Sequence, residues 1–220
     1  MPMWINQKKR ASRPSYSLQH HGRQMSPLTK TSRRVLQNRR NWLSIMTSSL
    51  CRQFFHVECE AGINKQINME LHASYVYLAM AYHFARDDVA LSGLHKFFLK
   101  QSDDEREHAK KFMAYQILRG GRVMLQNIAP PEVNAWSSGL EAMEMALELE
   151  KMVNKSLLEL HAVAETHKDP QFCDFLESEF LKEQVESLKE ISDYVTNLRR
   201  VGPGLGEYMF DKESLEGVSS

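Results

Sequence analysis

The chain has no aspartate or glutamate before Glu58, although eleven lysines and arginines precede it. The rest holds the other 17 bases and all 28 acids, a formal charge of −11, so the net charge of zero hides two segments of opposite character. Cysteine is scarce. Cys51, Cys59 and Cys173 are too few and too scattered for a disulfide framework, and no Cys-x-x-Cys pair exists to hold zinc or a rubredoxin-type iron. No apolar run approaches the roughly 18 residues of a membrane span, and the N-terminus lacks the continuous apolar stretch of a secretory signal. A soluble chain in a reducing compartment, cytoplasmic by default and without a membrane partner, is the expectation.

The basic leader, residues 1–50, is rich in Arg, Ser, Gln and Asn, contains Pro14 and Pro27, and has too little apolar surface to order itself. Its acid-free, Arg- and Ser-rich character fits a mitochondrial transit peptide, which would place the protein in mitochondria instead. It also fits a disordered tail, or sequence upstream of a start at Met46. Val35, Leu36, Trp42, Leu43 and Met46 share one side of a helix drawn over Arg33 to Met46, but Arg39 falls inside that arc. The bases lack interleaved aromatics, so no nucleic-acid partner is expected.

Residues 51–220 read as one domain. From Val57 to Arg200 the chain is rich in Leu, Met, Ala, Glu and Lys with few prolines, the composition of helices. Asp87 and Asp88 break the first helical pattern, Ser92 is placed to cap the second, and Gly120 and Gly121 end it. A connection of about 15 residues follows, with Pro130 and Pro131, before Ser137 or Ser138 caps the third. His167 to Pro170 separates the third from the fourth. Gly202, Pro203, Gly204 and Gly206 end the fourth before a short terminal segment, Glu207 to Leu215. Two short turns and one long connection give two antiparallel hairpins joined by a crossover, an all-α four-helix bundle.

Counting in steps of three and four recovers an inward stripe on each helix. The first runs Ile63, Ile67, Glu70, Ser74, Tyr77, Ala81, and the second Leu94, Phe97 or Phe98, Gln101, Glu105, His108, Phe112, Tyr115. The third runs Leu140, Met143, Leu147, Glu150, Asn154, Leu157, His161, and the fourth Phe180, Gln184, Leu188, Ile191, Val195, Leu198. Glu70, Glu105, His108, Glu150 and Gln184 thus stand where apolar residues belong. An uncompensated buried carboxylate costs several kcal/mol, so three of them with an imidazole imply cations between the helices, and two metal ions suffice. Glu105 and His108 form the chain's one Glu-x-x-His, which stacks both groups on one helical face. Oxygen donors with a single nitrogen suit iron or manganese. Val153 and Gln184 break the symmetry of a permanent di-iron oxidase. One metal is then held by Glu70, Glu105 and His108, and a second, more loosely, by Glu105 and Glu150, an arrangement suited to iron in transit.

The segments Ile67-Asn68-Met69-Glu70, Ser74-Tyr75-Val76-Tyr77, Arg86-Asp87-Asp88-Val89-Ala90-Leu91, Glu105-Arg106-Glu107-His108-Ala109, Arg119-Gly120-Gly121-Arg122 and Glu207-Tyr208-Met209-Phe210-Asp211-Lys212 closely resemble animal ferritins of the heavy, ferroxidase-bearing type, from about residue 52 to 215. The resemblance implies a ferritin-like bundle with a short fifth helix, assembling into a hollow shell of 24 subunits, alone or with other ferritin subunits. It implies a ferroxidase centre of two irons at Glu70, Glu105, His108, Glu150 and Gln184 with Tyr77 beside it, where dioxygen or peroxide oxidises Fe(II) before the ferric mineral is stored. It places Asp174 and Glu177 in threefold channels with His161 near the mouth. Asp104 and Glu107 fall in the acidic nucleation cluster, whose third member here is Lys110. Glu213 stands where vertebrate heavy chains carry a histidine.

Two other functions compete, a storage shell without oxidase activity and an oxidoreductase acting on an organic substrate. The full ligand set opposes the first, and the single Glu-x-x-His with Gln184 opposes the second. His72, His83, His95 and His167 read as surface residues, Cys173 as a small buried apolar residue, and the methionines as core filler.

Overall fold

The computed structural model describes residues 49–216, and the readings of the leader lie outside the described residues except at Ser49 and Leu50. All regular elements among the described residues are helical: α1 (Val57–Phe84), α2 (Ser92–Leu118), α3 (Gly139–Thr166), α4 (Pro170–Leu176), α5 (Lys182–Val201) and α6 (Leu205–Met209). A π-helical segment, Glu177–Leu181, joins α4 to α5 through right-handed helical residues at both junctions, making one continuous arm. A second π-helical segment, Phe210–Glu216, follows α6. The bundle therefore has four long arms and a short fifth piece.

Local chemistry sets the ends. Ser138 accepts from Glu141 N–H at 3.2 Å while Glu141 accepts from Ser137 N–H and Oγ, a reciprocal cap that starts α3. Asp169 caps α4, with Pro170 in the first turn. Gly120 ends α2 at φ +75°, where a Cβ would meet Ser49 and Arg52. The expected cap at Ser92 is not what starts α2. Ser92 is the first helical residue, its Oγ accepts from Lys212, and Leu94 N–H donates 2.7 Å to buried Asp211 instead. The capping carboxylate thus comes from the C-terminal segment. Glu207 does the same for α3, accepting from Gly139 N–H at 2.6 Å.

Helices α1 and α2 meet at two small residues. Ser74 Oγ donates to the Ser102 carbonyl (2.7 Å) and Ser102 Oγ to the Ser74 carbonyl (2.8 Å), so the hydroxyls satisfy each other's backbones where the helices touch. Glu70 and Glu105 lie one turn away on the same faces. The long crossover is laced to α1: Asn64 donates to the Arg122 carbonyl and accepts from Met124 N–H, and Glu60 accepts from Arg122 N–H. Between α2 and the fourth arm stands a column of stacked rings, Tyr115 on Phe175 at 3.9 Å and Phe112 on Phe180 at 4.1 Å between centroids.

The π-helical turn was not expected from sequence, and it has a geometric role. Phe172, Leu176, Phe180 and Gln184 are all buried and each is four residues from the next. In an α-helix four residues turn about 400°, so each step overshoots by roughly 40° and the series would drift off the core. A wider turn at Glu177–Leu181 takes up the excess and keeps Gln184 facing inward.

Candidate metal centre

Glu70, Glu105 and Glu150 are almost fully buried. Glu70, Glu105 and His108 each offer a ligand atom, all within 4.8 Å of one another. Glu70 Oε1 accepts from Gln66 Nε2 at 2.8 Å, and Gln66 is itself held by Ser156 Oγ at 2.6 Å. Glu70 Oε2 is buried with no hydrogen-bond partner. Across the cavity, Glu150 accepts from Tyr77 OH at 2.5 Å and from Gln184 Nε2 at 3.1 Å. His108 sits at the rim, with Nδ1 3.4 Å from Glu105 and Nε2 3.2 Å from Glu183.

The electrostatics follow from burial. Desolvation, reinforced by the neighbouring Glu105, raises the Glu70 carboxyl well above its ordinary range. Burial pushes Glu105 up to about 8, with Glu150 adding to the rise. Glu150 is raised too, but the Tyr77 hydroxyl opposes the effect by stabilising its anion. The residues fit a cation: Glu70, Glu105 and His108 would hold it, and its positive charge would offset the cost of ionising buried carboxyls. The free space of the site is only about 20 Å³, lined by Glu70, Glu105, His108, Glu150, Glu183 and Gln184 among others. That is room for ions and about one or two waters.

The other residues singled out in the sequence lie apart from this cluster. Glu177 accepts from or pairs with His161 Nε2 at 2.7 Å, in the π-helical turn, and Asp174 is exposed one turn before it. Asp104 is half-buried against the cavity, where burial raises its carboxyl, while Glu107 is exposed and bound to Lys110 at 2.6 Å. Gln66 and Glu183 were missed from sequence. Gln66 is one turn from Glu70 and could have been found by asking which amide orients a buried carboxylate, whereas Glu183 carries no signal separating it from other surface acids. His83 is a correction. It is buried, edge-on to Trp136 with centroids 5.3 Å apart, because the crossover brings that indole over the end of α1.

A family model described as a ferritin-like domain matches residues 60–201. The chain belongs to the ferritin family. It is 64% identical over 171 residues to the ferritin-1 heavy chain of Schistosoma mansoni, which covers 78% of this chain and 99% of that protein. It is 64% identical over 174 residues to the soma ferritin of Lymnaea stagnalis (79% and 100%) and over 169 residues to the ferritin heavy chain of Echinococcus granulosus (77% and 98%). This ferritin is thus of the animal heavy type, in a family of iron-binding storage proteins that assemble into multimeric shells. No helix among the described residues is long and apolar enough to cross a membrane.

Proposed function

We propose that this ferritin is a ferroxidase subunit: it oxidises Fe(II) to Fe(III) at a two-iron centre inside each chain and stores the ferric product within a shell of 24 subunits. The observation that carries the reading is the buried group Glu70, Glu105 and His108 with an orphaned carboxylate oxygen, facing Glu150 and Gln184 across a cavity too small for an organic substrate. Iron is the substrate. Glu70 and His108 bind one iron, Glu105 bridges to the second, and Glu150 with Gln184 completes that side. Each Fe(II) gives one electron to dioxygen or peroxide. Tyr77 holds Glu150 in place by its hydrogen bond, and the Ser156–Gln66–Glu70 chain orients the opposite carboxylate. Few permanent donors on the Glu150 side favour release of Fe(III) into the shell.

In the same reading, residues 51–220 form the ferritin-like domain and residues 1–50 a leader outside it. Exposed Tyr75, Tyr82, Met152 and Leu158 on α1 and α3 supply apolar surface for subunit contacts. Asp174 and Glu177, repeated around a threefold axis with His161 beside them, draw Fe(II) inward. Asp104 and Glu107 offer a nucleation patch, weakened where Lys110 neutralises Glu107. The test is stopped-flow oxidation of Fe(II) by purified protein. The double variant Glu105→Lys with His108→Gly should lose the fast phase and keep the assembled shell. An undiminished initial rate in that variant refutes the assignment.

A further inference from the structure

A second ligand group lies at the end of the bundle, where the start of α1 meets the end of α3. His56, Glu58 and His167 each present a ligand atom, all within 4.8 Å of one another. The His56 and His167 rings are stacked, with centroids 3.5 Å apart and planes 15° from parallel. Glu58 Oε2 is 2.9 Å from His167 Nε2. Glu58 is twelve positions before Glu70 on α1, which at 1.5 Å per residue separates this group from the oxidation centre by about 18 Å along the helix. The sequence offered no hint of it, since His167 reads as a turn residue 109 positions from Glu58.

We propose that His56, Glu58 and His167 form a second, separate binding site for a divalent ion of the zinc–copper kind. Two imidazoles and one carboxylate are the donors such borderline ions prefer, in contrast to the oxygen-rich set of the buried centre. Ligands about 2.0–2.1 Å from a tetrahedral zinc lie roughly 3.3 Å from one another, close to the 2.9 Å between Glu58 Oε2 and His167 Nε2 and within the 4.8 Å that spans all three ligand atoms. Glu58 is placed to ligate, because its Oε2 already faces His167 Nε2 at 2.9 Å. The two helix ends oppose each other: the N-terminus of α1 disfavours a cation, while the carbonyl end of α3, which His167 caps, favours one.

Binding requires specific rearrangements. The metal replaces the proton shared by His167 Nε2 and Glu58, and that proton moves to His167 Nδ1. The rings fan apart, since a metal must lie near the plane of each imidazole. His56 Nδ1 accepts from Glu58 N–H at 3.2 Å, so His56 ligates either through Nδ1 itself or through Nε2 after a tautomer shift. Both routes release the Glu58 amide, and binding therefore loosens the first turn of α1.

The experiment uses the full-length assembled protein and zinc(II). Crystals soaked with a few equivalents of zinc per chain should give an anomalous difference peak bounded by His56, Glu58 and His167, in addition to zinc in the buried centre. In solution, His167→Asn should bind one zinc per chain fewer than the wild type with an unchanged Fe(II) oxidation rate, and Glu58→Gln should weaken the same class of sites at least tenfold. Amide exchange at Glu58 should speed up on zinc addition in the wild type alone. Equal zinc stoichiometry and affinity in His167→Asn, or a peak in the buried centre and none at the three residues, overturns the proposal.

Discussion

Filling the buried centre should expel about one proton per chain from Glu105 at neutral pH, with Glu70 adding to the release. Burial raises Glu70 well above its ordinary range and pushes Glu105 up to about 8, so in the metal-free protein burial favours the protonated form of both carboxyls. At pH 7 a group titrating near 8 is protonated in roughly nine chains out of ten, and at pH 9 in about one out of ten. Iron displaces these protons, because carboxylates ligate in their ionised form. The apparent affinity for Fe(II) should therefore rise with pH, by close to tenfold per unit below pH 7 from Glu105 alone, equivalent to about 1.4 kcal/mol, and the Glu105 share of the slope should fade above pH 8. The assay is anaerobic calorimetry of Fe(II) binding in two buffers of different ionisation enthalpy, from pH 6.5 to 9, without oxidant so that no protons come from oxidation. Glu105→Gln should lower the release by about nine-tenths of a proton per chain at pH 7, and Glu70→Gln should lower it as well. A release below about half a proton, flat across this range, would show that the carboxylates are already ionised and that burial does not govern the site.

Three further outcomes follow from the same geometry. Because the folded-state value of Glu105 (about 8) lies above its ordinary 4.5, its ionisation cost is absent below pH 4.5 and complete above 8. Without metal, Glu105→Gln should therefore resist guanidinium better than wild type by an amount rising to roughly 5 kcal/mol at pH 8 and vanishing near pH 4.5. Asp169 is buried, bonds Arg119 at 2.7 and 3.0 Å, and caps α4, so Asp169→Ala should cost about 4 kcal/mol, read as a lower denaturation midpoint at fixed subunit concentration, with Asp169→Asn costing less. Asp174→Asn with Glu177→Gln should slow iron uptake at low ionic strength several-fold while leaving oxidation at the buried centre nearly intact, and uptake that stays equally fast would show that iron enters elsewhere.

The bundle was legible because its signals are local and periodic. Glu70, Glu105, Glu150 and Gln184 interrupt apolar stripes, and counting turns places them inward without knowledge of the partner helix. What escaped the sequence depends on contacts between distant segments. The cap of α2 comes from Asp211, 117 residues beyond Leu94, so no local rule could prefer it to Ser92. His83 was misplaced for the same reason, since its burial is supplied by Trp136 from the crossover.

The π-helical turn shows a different kind of gap, because here the information was local and went unused. Phe172, Leu176, Phe180 and Gln184 recur every four residues, a period that an α-helix cannot hold against a straight core for three successive steps. Either the series drifts outward or the helix widens. Burial of all four decides for widening, and the wide turn starts at Glu177 itself, between Asp174 on one side and Gln184 on the other. The same distortion therefore sets where Glu177 meets His161 and how Gln184 reaches Glu150. Removing one residue from that turn would leave steps of four, three and four between the buried positions, about 1,100° in all, which an ordinary α-helix holds on one face, so the wide turn accommodates one extra residue without moving Gln184 off the core. The inward direction of Gln184 is thus a property of the whole fourth arm.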